Sequence, residues 1–172
     1  STLFPYTTLF RSRDDDINRD LTSAFKYLKE NIHGMEAPEV YAQIGALDQS
    51  IIVGNNTIGI CLDKYLGSDN PLYLKAEYGY SKEQLSMMNR HYIVPDCVGF
   101  YLLSLYPMPT DREMSQLECD LHMGKIQWVV NKAMGKRAFQ NRYVQKIQRY
   151  MSQNKNVSLD MLLRNNNYQD FQ

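Results

Sequence analysis

Glu118, His122 and Lys125 recur at i, i+4 and i+7, a spacing that sets all three on one face of a helix. The residues around them are largely apolar, so that face is expected to be buried. Charged groups in such a place must be paired. Asp63 and Asp96 each border an apolar element and are the carboxylates expected to meet Lys125. With Lys64, these residues make one candidate polar network: Asp63, Lys64, Asp96, Glu118, His122 and Lys125. It reads first as an internal network that fixes helices, and second as a polar site inside the domain. Gly124 lies beside it and would let another backbone approach closely. Other chemistry is thinly supplied. Cys97 and His91 have the types of a nucleophile and its base, and a hydrolase with a non-standard site would be built around His91, Asp96 and His122. The chain has no HExxH, P-loop, GxGxxG or GxSxG. Neither His33, His91 nor His122 lies four residues from another, so no single helix encodes a zinc pair. Cys61, Cys97 and Cys119 form no CxxC and read as small buried side chains. No catalytic, cofactor-binding or metal-binding residue is assigned on this basis, no cofactor is expected, and no small-molecule ligand is expected.

The elements that must position these residues follow from periodicity. Leu21, Phe25, Leu28 and Ile32 predict an amphipathic helix over 21–32, with Asp20 as a cap and Gly34 as its end. The acidic stretch 14–20 reads as a linker or helix remnant. Val40–Ile44, Ser50–Val53 and Thr57–Leu62 are β-prone, and Gly54-Asn55-Asn56 predicts a hairpin over 50–62. Ser81 is an N-cap for a short helix over 82–90. Pro95-Asp96 suits the first turn of a buried helix over 96–105, which Pro107 and Pro109 stop. Residues 112–134 carry two adjoining apolar stripes and predict the longest helix. Phe139, Tyr143, Ile147, Tyr150 and Met151 mark one more, with its basic residues on the other face, and the three asparagines 165–167 precede an end expected to fray. The fold class is α+β, mainly helical with a small two- or three-stranded sheet.

The chain has 44% hydrophobic and 22% charged residues, ordinary for a globular domain. Net charge is zero but unevenly placed. From Lys136 onward seven basic residues face two acidic ones, a surplus of +5 that leaves −5 before it. A basic tail can dock on an acidic body or an anionic surface, although a solvated helix face is the plainer reading. No basic patch is interleaved with the ordered aromatics of an RNA platform, so no nucleic-acid partner is expected. Residues 2–12 match, without a mismatch, one reading frame of a common sequencing adapter. They are set aside as not natural, and any signal peptide or lipid-attachment cysteine is expected upstream of residue 13.

Thr22–Lys29, Val40–Val53, Leu62-Asp63-Lys64-Tyr65-Leu66-Gly67, Tyr92-Ile93-Val94-Pro95-Asp96-Cys97 and His122-Met123-Gly124-Lys125 resemble, in order and spacing, the gliding-motility lipoprotein GldB-like family. The likeness spans roughly residues 20–135. It divides the chain into 1–12, a GldB-like domain over 13–135, and an unmatched basic helical extension over 136–172. The resemblance implies a cell-envelope protein of gliding and related non-gliding bacteria, linked to gliding and the associated protein-secretion machinery, held to the membrane by an N-terminal lipid anchor and partnered by envelope proteins. It also implies a distant likeness to zinc-metallopeptidase-like folds. Pro95-Asp96 stands where a zinc enzyme carries His-Glu, so the implied version is degenerate and non-catalytic, with a binding or scaffolding role. Two expectations follow directly. The Asp63–Leu66 turn and the Ile93–Asp96 helix start should meet in space, since polar groups at the edges of apolar elements must find partners. Deleting residues 1–12 should change stability by no more than about 0.5 kcal/mol, as surface changes do; cooperative loss of folding in a thermal melt would show the segment to be structural.

Overall fold

The computed structural model describes residues 15–43 and 49–172. The 1–12 leader and the Ile44 end of the first expected strand lie outside them. The fold is α+β, mainly helical with a three-stranded mixed sheet. The described residues gather into two compact units, one of residues 15–21 with 38–43 and 49–97, and one of residues 22–37 with 98–172. Helices α1 (Asp15–Asn31) and α3 (Ile93–Leu105) each supply residues to both.

The first unit is built on the sheet. Strands β2 (Ile51–Gly54) and β3 (Thr57–Cys61) form the expected hairpin, antiparallel with Ile51 opposite Ile60 and Val53 opposite Ile58. Asn56 turns it at φ 55°, a conformation asparagine tolerates better than most residues. Strand β1 (Glu39–Gln43) then pairs parallel with β3, Val40 opposite Ile58 and Ala42 opposite Ile60, giving the order β1-β3-β2. The centre strand is thus the last in sequence, and its Ile58 and Ile60 are fully buried. Beyond a 3-10 turn at Leu62–Lys64, one side chain ties the connection. The Tyr73 hydroxyl donates to the Asp63 carbonyl and accepts from the Leu66 N–H at 3.0 Å. Helix α2 (Lys82–Met87) opens on Ser81 with a complete capping box to Gln84, so the expected cap is present. The helix ends sooner than the expected Arg90, because Asn89 caps a separate 3-10 turn at Arg90–Tyr92.

The second unit is helical. Helix α4 (Gln116–Met134) starts four residues later than expected, because Ser115 and Glu118 close a capping box there. It ends on Gly135, left-handed at φ 64°, with the Lys136 N–H returning to the Asn131 carbonyl. Helices α5 (Arg142–Gln153) and α6 (Leu159–Arg164) and a final 3-10 turn at Tyr168–Phe171 pack against α4. Two further expectations are corrected. Asp20 lies inside α1, which begins at Asp15, so it is no cap. The end does not fray: Tyr168 and Phe171 are each 2% exposed, because their rings complete the core of this unit. On α4, Gly124 does admit another backbone, as expected. A Cβ there would sit 3.0 Å from the Tyr143 Cβ and 3.2 Å from its carbonyl carbon. Gly124→Ala should therefore lower stability by about 1–2 kcal/mol, the overpacking outweighing the gain in helix propensity. Chemical denaturation reads this directly, and a stabilised variant would contradict the close approach.

Candidate functional site

The six residues of the expected polar network do not form one network. In the first unit, Lys64 and Asp96 line a cleft of about 190 Å3 together with Ser50, Tyr65, Tyr80, Gln84, Met87 and Met88. Pro95 in the first turn of α3 fixes where Asp96 stands, and the 3-10 turn after β3 presents Lys64 and Tyr65. The Tyr65 hydroxyl donates to Asp96 Oδ2 at 2.8 Å, so the two motif segments meet as expected. Burial pushes the Asp96 carboxyl up to about 6, with the tyrosine hydrogen bond pulling the other way. Burial and the Asp96 charge push the Tyr65 hydroxyl well above the ordinary tyrosine range. Lys64 is 7% exposed and donates to the Tyr80 hydroxyl at 2.8 Å. Tyr80 in turn stacks on Tyr78 at 5.8 Å between ring centres. The cleft thus offers a carboxyl that changes charge near neutral pH, an ammonium and two phenols, with two methionines for apolar contact. From Asp63, it is the backbone carbonyl that Tyr73 takes up.

His122 and Lys125 belong to the second unit and are buried, at 1% and 0% exposure. The expected pairing of Lys125 with Asp63 or Asp96 is overturned. Its ammonium donates to the carbonyls of Leu163 at 3.2 Å and Asn165 at 2.6 Å, and lies 5.2 Å from the Tyr168 ring centre. The physical reason is that α6 ends there. The last carbonyls of a helix lack donors and carry its negative pole, so they suit a cation. Burial lowers the Lys125 ammonium to about 8. His122 Nε2 faces the Tyr106 carbonyl at 2.8 Å, which only accepts, so Nε2 carries the proton. Nδ1 then accepts from the Tyr168 hydroxyl at 2.9 Å. Burial, with the Lys125 charge, holds the imidazole below its ordinary range. Glu118 is not part of this cluster. It caps α4 and takes two hydrogen bonds from Arg112, at 3.0 and 3.2 Å, near the surface. Arg112 and the Ser115 backbone hold its carboxyl below the usual range.

Of the residues invoked for a catalytic alternative, His91 is exposed, and the Cys97 thiol is fully buried and pushed up by that burial. Among the described residues no three His, Cys, Asp or Glu side chains gather as a group that could hold a metal ion. The partners that sequence reasoning missed are tyrosines and carbonyls. Tyr65, Tyr80, Tyr106 and Tyr168 supply the polar contacts at both places, and Asn165 supplies a backbone oxygen. The one available signal was Tyr168 three residues before Phe171, an apolar pair hidden behind the asparagine run.

The family model described as gliding motility protein GldB matches residues 6–142. The chain belongs to that family. The match takes in both motif segments of the cleft and all of α4; it begins inside the leader set aside above and ends on the first residue of α5. No curated protein and no solved structure matches the chain. Membership in the GldB family implies a lipoprotein of the cell envelope.

Two outcomes follow from these environments. The folded Asp96 carboxyl sits near 6, above its ordinary 3.8, so between those values the native state binds more protons and loses stability as pH rises. Asp96→Asn should therefore gain stability relative to the parent at pH 7 compared with pH 4; equal differences in urea midpoint at the two pH values would contradict it. Lys125 behaves oppositely. Its folded value of about 8 lies below 10.5, so stability should rise as pH climbs through that interval, and Lys125→Met should flatten the rise. Because no carboxylate is orphaned, the methionine variant should cost about 1–3 kcal/mol for the unmet carbonyls rather than the 3–5 kcal/mol of a broken buried ion pair. Lys125→Ala, which also loses the packing of the stem, should cost more.

Proposed function

We propose that this GldB-family chain acts without catalysis, as the envelope-facing binding domain of a gliding-motility or secretion-associated lipoprotein, and that the Lys64–Tyr65–Tyr80–Asp96 cleft is where an envelope protein partner engages it. The carrying observation is the placement of Asp96. Two of the five segments that carry the family likeness, Leu62–Gly67 and Tyr92–Cys97, converge on this carboxyl, and its hydrogen-bonding partner is a phenol, not a base that would activate a nucleophile. At about 190 Å3 the cleft is smaller than a typical ligand pocket. That size suits one polar side chain of a partner, flanked by Met87, which is 37% exposed. In the second unit, His122 has both ring nitrogens engaged and Lys125 is held by carbonyls, which supports a structural role for each. Membrane attachment through a lipid on a preceding segment belongs to the same reading and rests on the family.

The test uses the full-length lipoprotein in its own cell envelope, cross-linked and purified. The parent should carry a defined partner protein, and Lys64→Met with Asp96→Asn should lose that partner while the lipoprotein keeps its abundance and a cooperative thermal transition. Retention of the partner by the double variant would overturn the assignment of the cleft. Peptide or ester hydrolysis by the purified protein, abolished by Asp96→Asn, would replace the binding reading with an enzymatic one.

A further inference from the structure

The second unit contains a larger hollow that the binding reading does not use. It is a groove of about 580 Å3 at the corner between α4 and α5, inside the size range of small-molecule sites. Lys132 of the last turn of α4 and Lys136 and Arg137 of the corner line it, and no acidic residue does. The ion pairs of the described residues involve none of these three cations. Trp128 forms part of the wall, with Lys132 Nζ lying 5.0 Å from its ring centre.

The corner is rigidly built. Gly135 takes the left-handed conformation that closes α4, and the Lys136 N–H is fixed to the Asn131 carbonyl at 3.2 Å. The Asn131 side chain then grips the backbone of Phe139 in both directions. Its Nδ2 donates to the Phe139 carbonyl at 2.8 Å, and its Oδ1 accepts from the Phe139 N–H at 2.9 Å. Lys136 and Arg137 therefore project from a segment held at both ends. On the other wall, the Trp128 indole N–H donates to Gln148 Oε1 at 2.9 Å, which holds α5 against α4. Cations in the last turn of a helix also complement its dipole, and that simpler role accounts for Lys132. It does not account for a groove of this size whose charged lining residues are all cations.

We propose that this corner groove binds a phosphate-bearing ligand, the phosphate being held by Lys132, Lys136 and Arg137. Phosphate is the anion favoured here because it can carry two charges against three cations, and because the arginine fork matches a pair of its oxygens. The same chemistry reaches the protein from two sources, the headgroup of an anionic lipid and a free phosphorylated metabolite.

The experiment uses the whole protein. Co-sedimentation with phosphatidylglycerol vesicles is compared with phosphatidylcholine vesicles, and calorimetry is run with glycerol 3-phosphate. Saturable, salt-sensitive binding to at least one phosphate probe over the neutral-headgroup control is expected. Binding to vesicles alone identifies the lipid, and binding to the soluble phosphate identifies the metabolite. Lys136→Gln with Arg137→Gln should weaken that binding about tenfold or more, since each charge near an anionic surface contributes severalfold. Both side chains are exposed, so the variant should fold, and Lys132→Met gives a second, independent removal of charge. Lys146→Gln with Arg149→Gln, on α5 but outside the groove, should weaken binding far less. Binding of neither probe, or equal losses in the two double variants, would overturn the proposal. A lower Tm in the corner variants with unchanged binding would also overturn it and leave the cations as helix-end stabilisers.

Discussion

The second unit is organised around an ammonium without access to water. Lys125 is fully buried on α4, and a buried charge is tolerated only where other polar groups replace its hydration. Here the replacement is two backbone carbonyls and an aromatic face, all supplied by residues 163–168. That requirement dictates where α6 must end and which way the following asparagines must turn. It also explains why Tyr168 is buried with its hydroxyl aimed at His122. Carbonyl dipoles at a helix end answer the charge without adding a second ion to desolvate, which is the usual weakness of buried salt bridges. The ammonium is nevertheless lowered toward neutral pH, so the compensation is incomplete.

The first unit solves the converse problem, a partly buried carboxyl at the start of α3, with a phenol. A tyrosine hydroxyl donates one hydrogen bond and remains neutral, so it does not hold Asp96 ionised as an arginine would. The carboxyl stays easily protonated, and the adjacent Lys64 is turned toward Tyr80. Both polar sites therefore rest on tyrosines, whose rings fill the core while their hydroxyls reach the charged groups.

Local signals in the sequence translated well where the deciding contacts are local. Ser81 and Pro95 mark helix starts, Gly34 lies just past the end of α1, and the Gly54–Asn56 turn produces its hairpin. The pairing of β1 was not legible. Alternation marks a strand, but nothing within Glu39–Gln43 states that its neighbour is β3 or that the two run parallel. Glu118 shows how helical spacing misleads. It shares a face with His122 and Lys125, yet at the third position of α4 it answers the free N–H of the helix start. The partners of Lys125 escaped detection because a backbone carbonyl carries no residue-type signature. Asn165–Asn167 look like a solvated tail, but Asn165 and Asn167 both bind Asp170 and brace the final turn.

The order in which these parts leave the ribosome now matters. Helix α4 is complete as a sequence some thirty residues before the oxygens that receive its lysine exist. While residues 135–164 are being synthesised, Lys125 has no interior to occupy and must stay in water or hold its helix away from a dry core. The second unit can close only after residues up to Phe171 are free of the exit tunnel. A chain that stalls or is clipped before that point would display the apolar faces of α4 and α5 together, the state that chaperones hold and proteases cut.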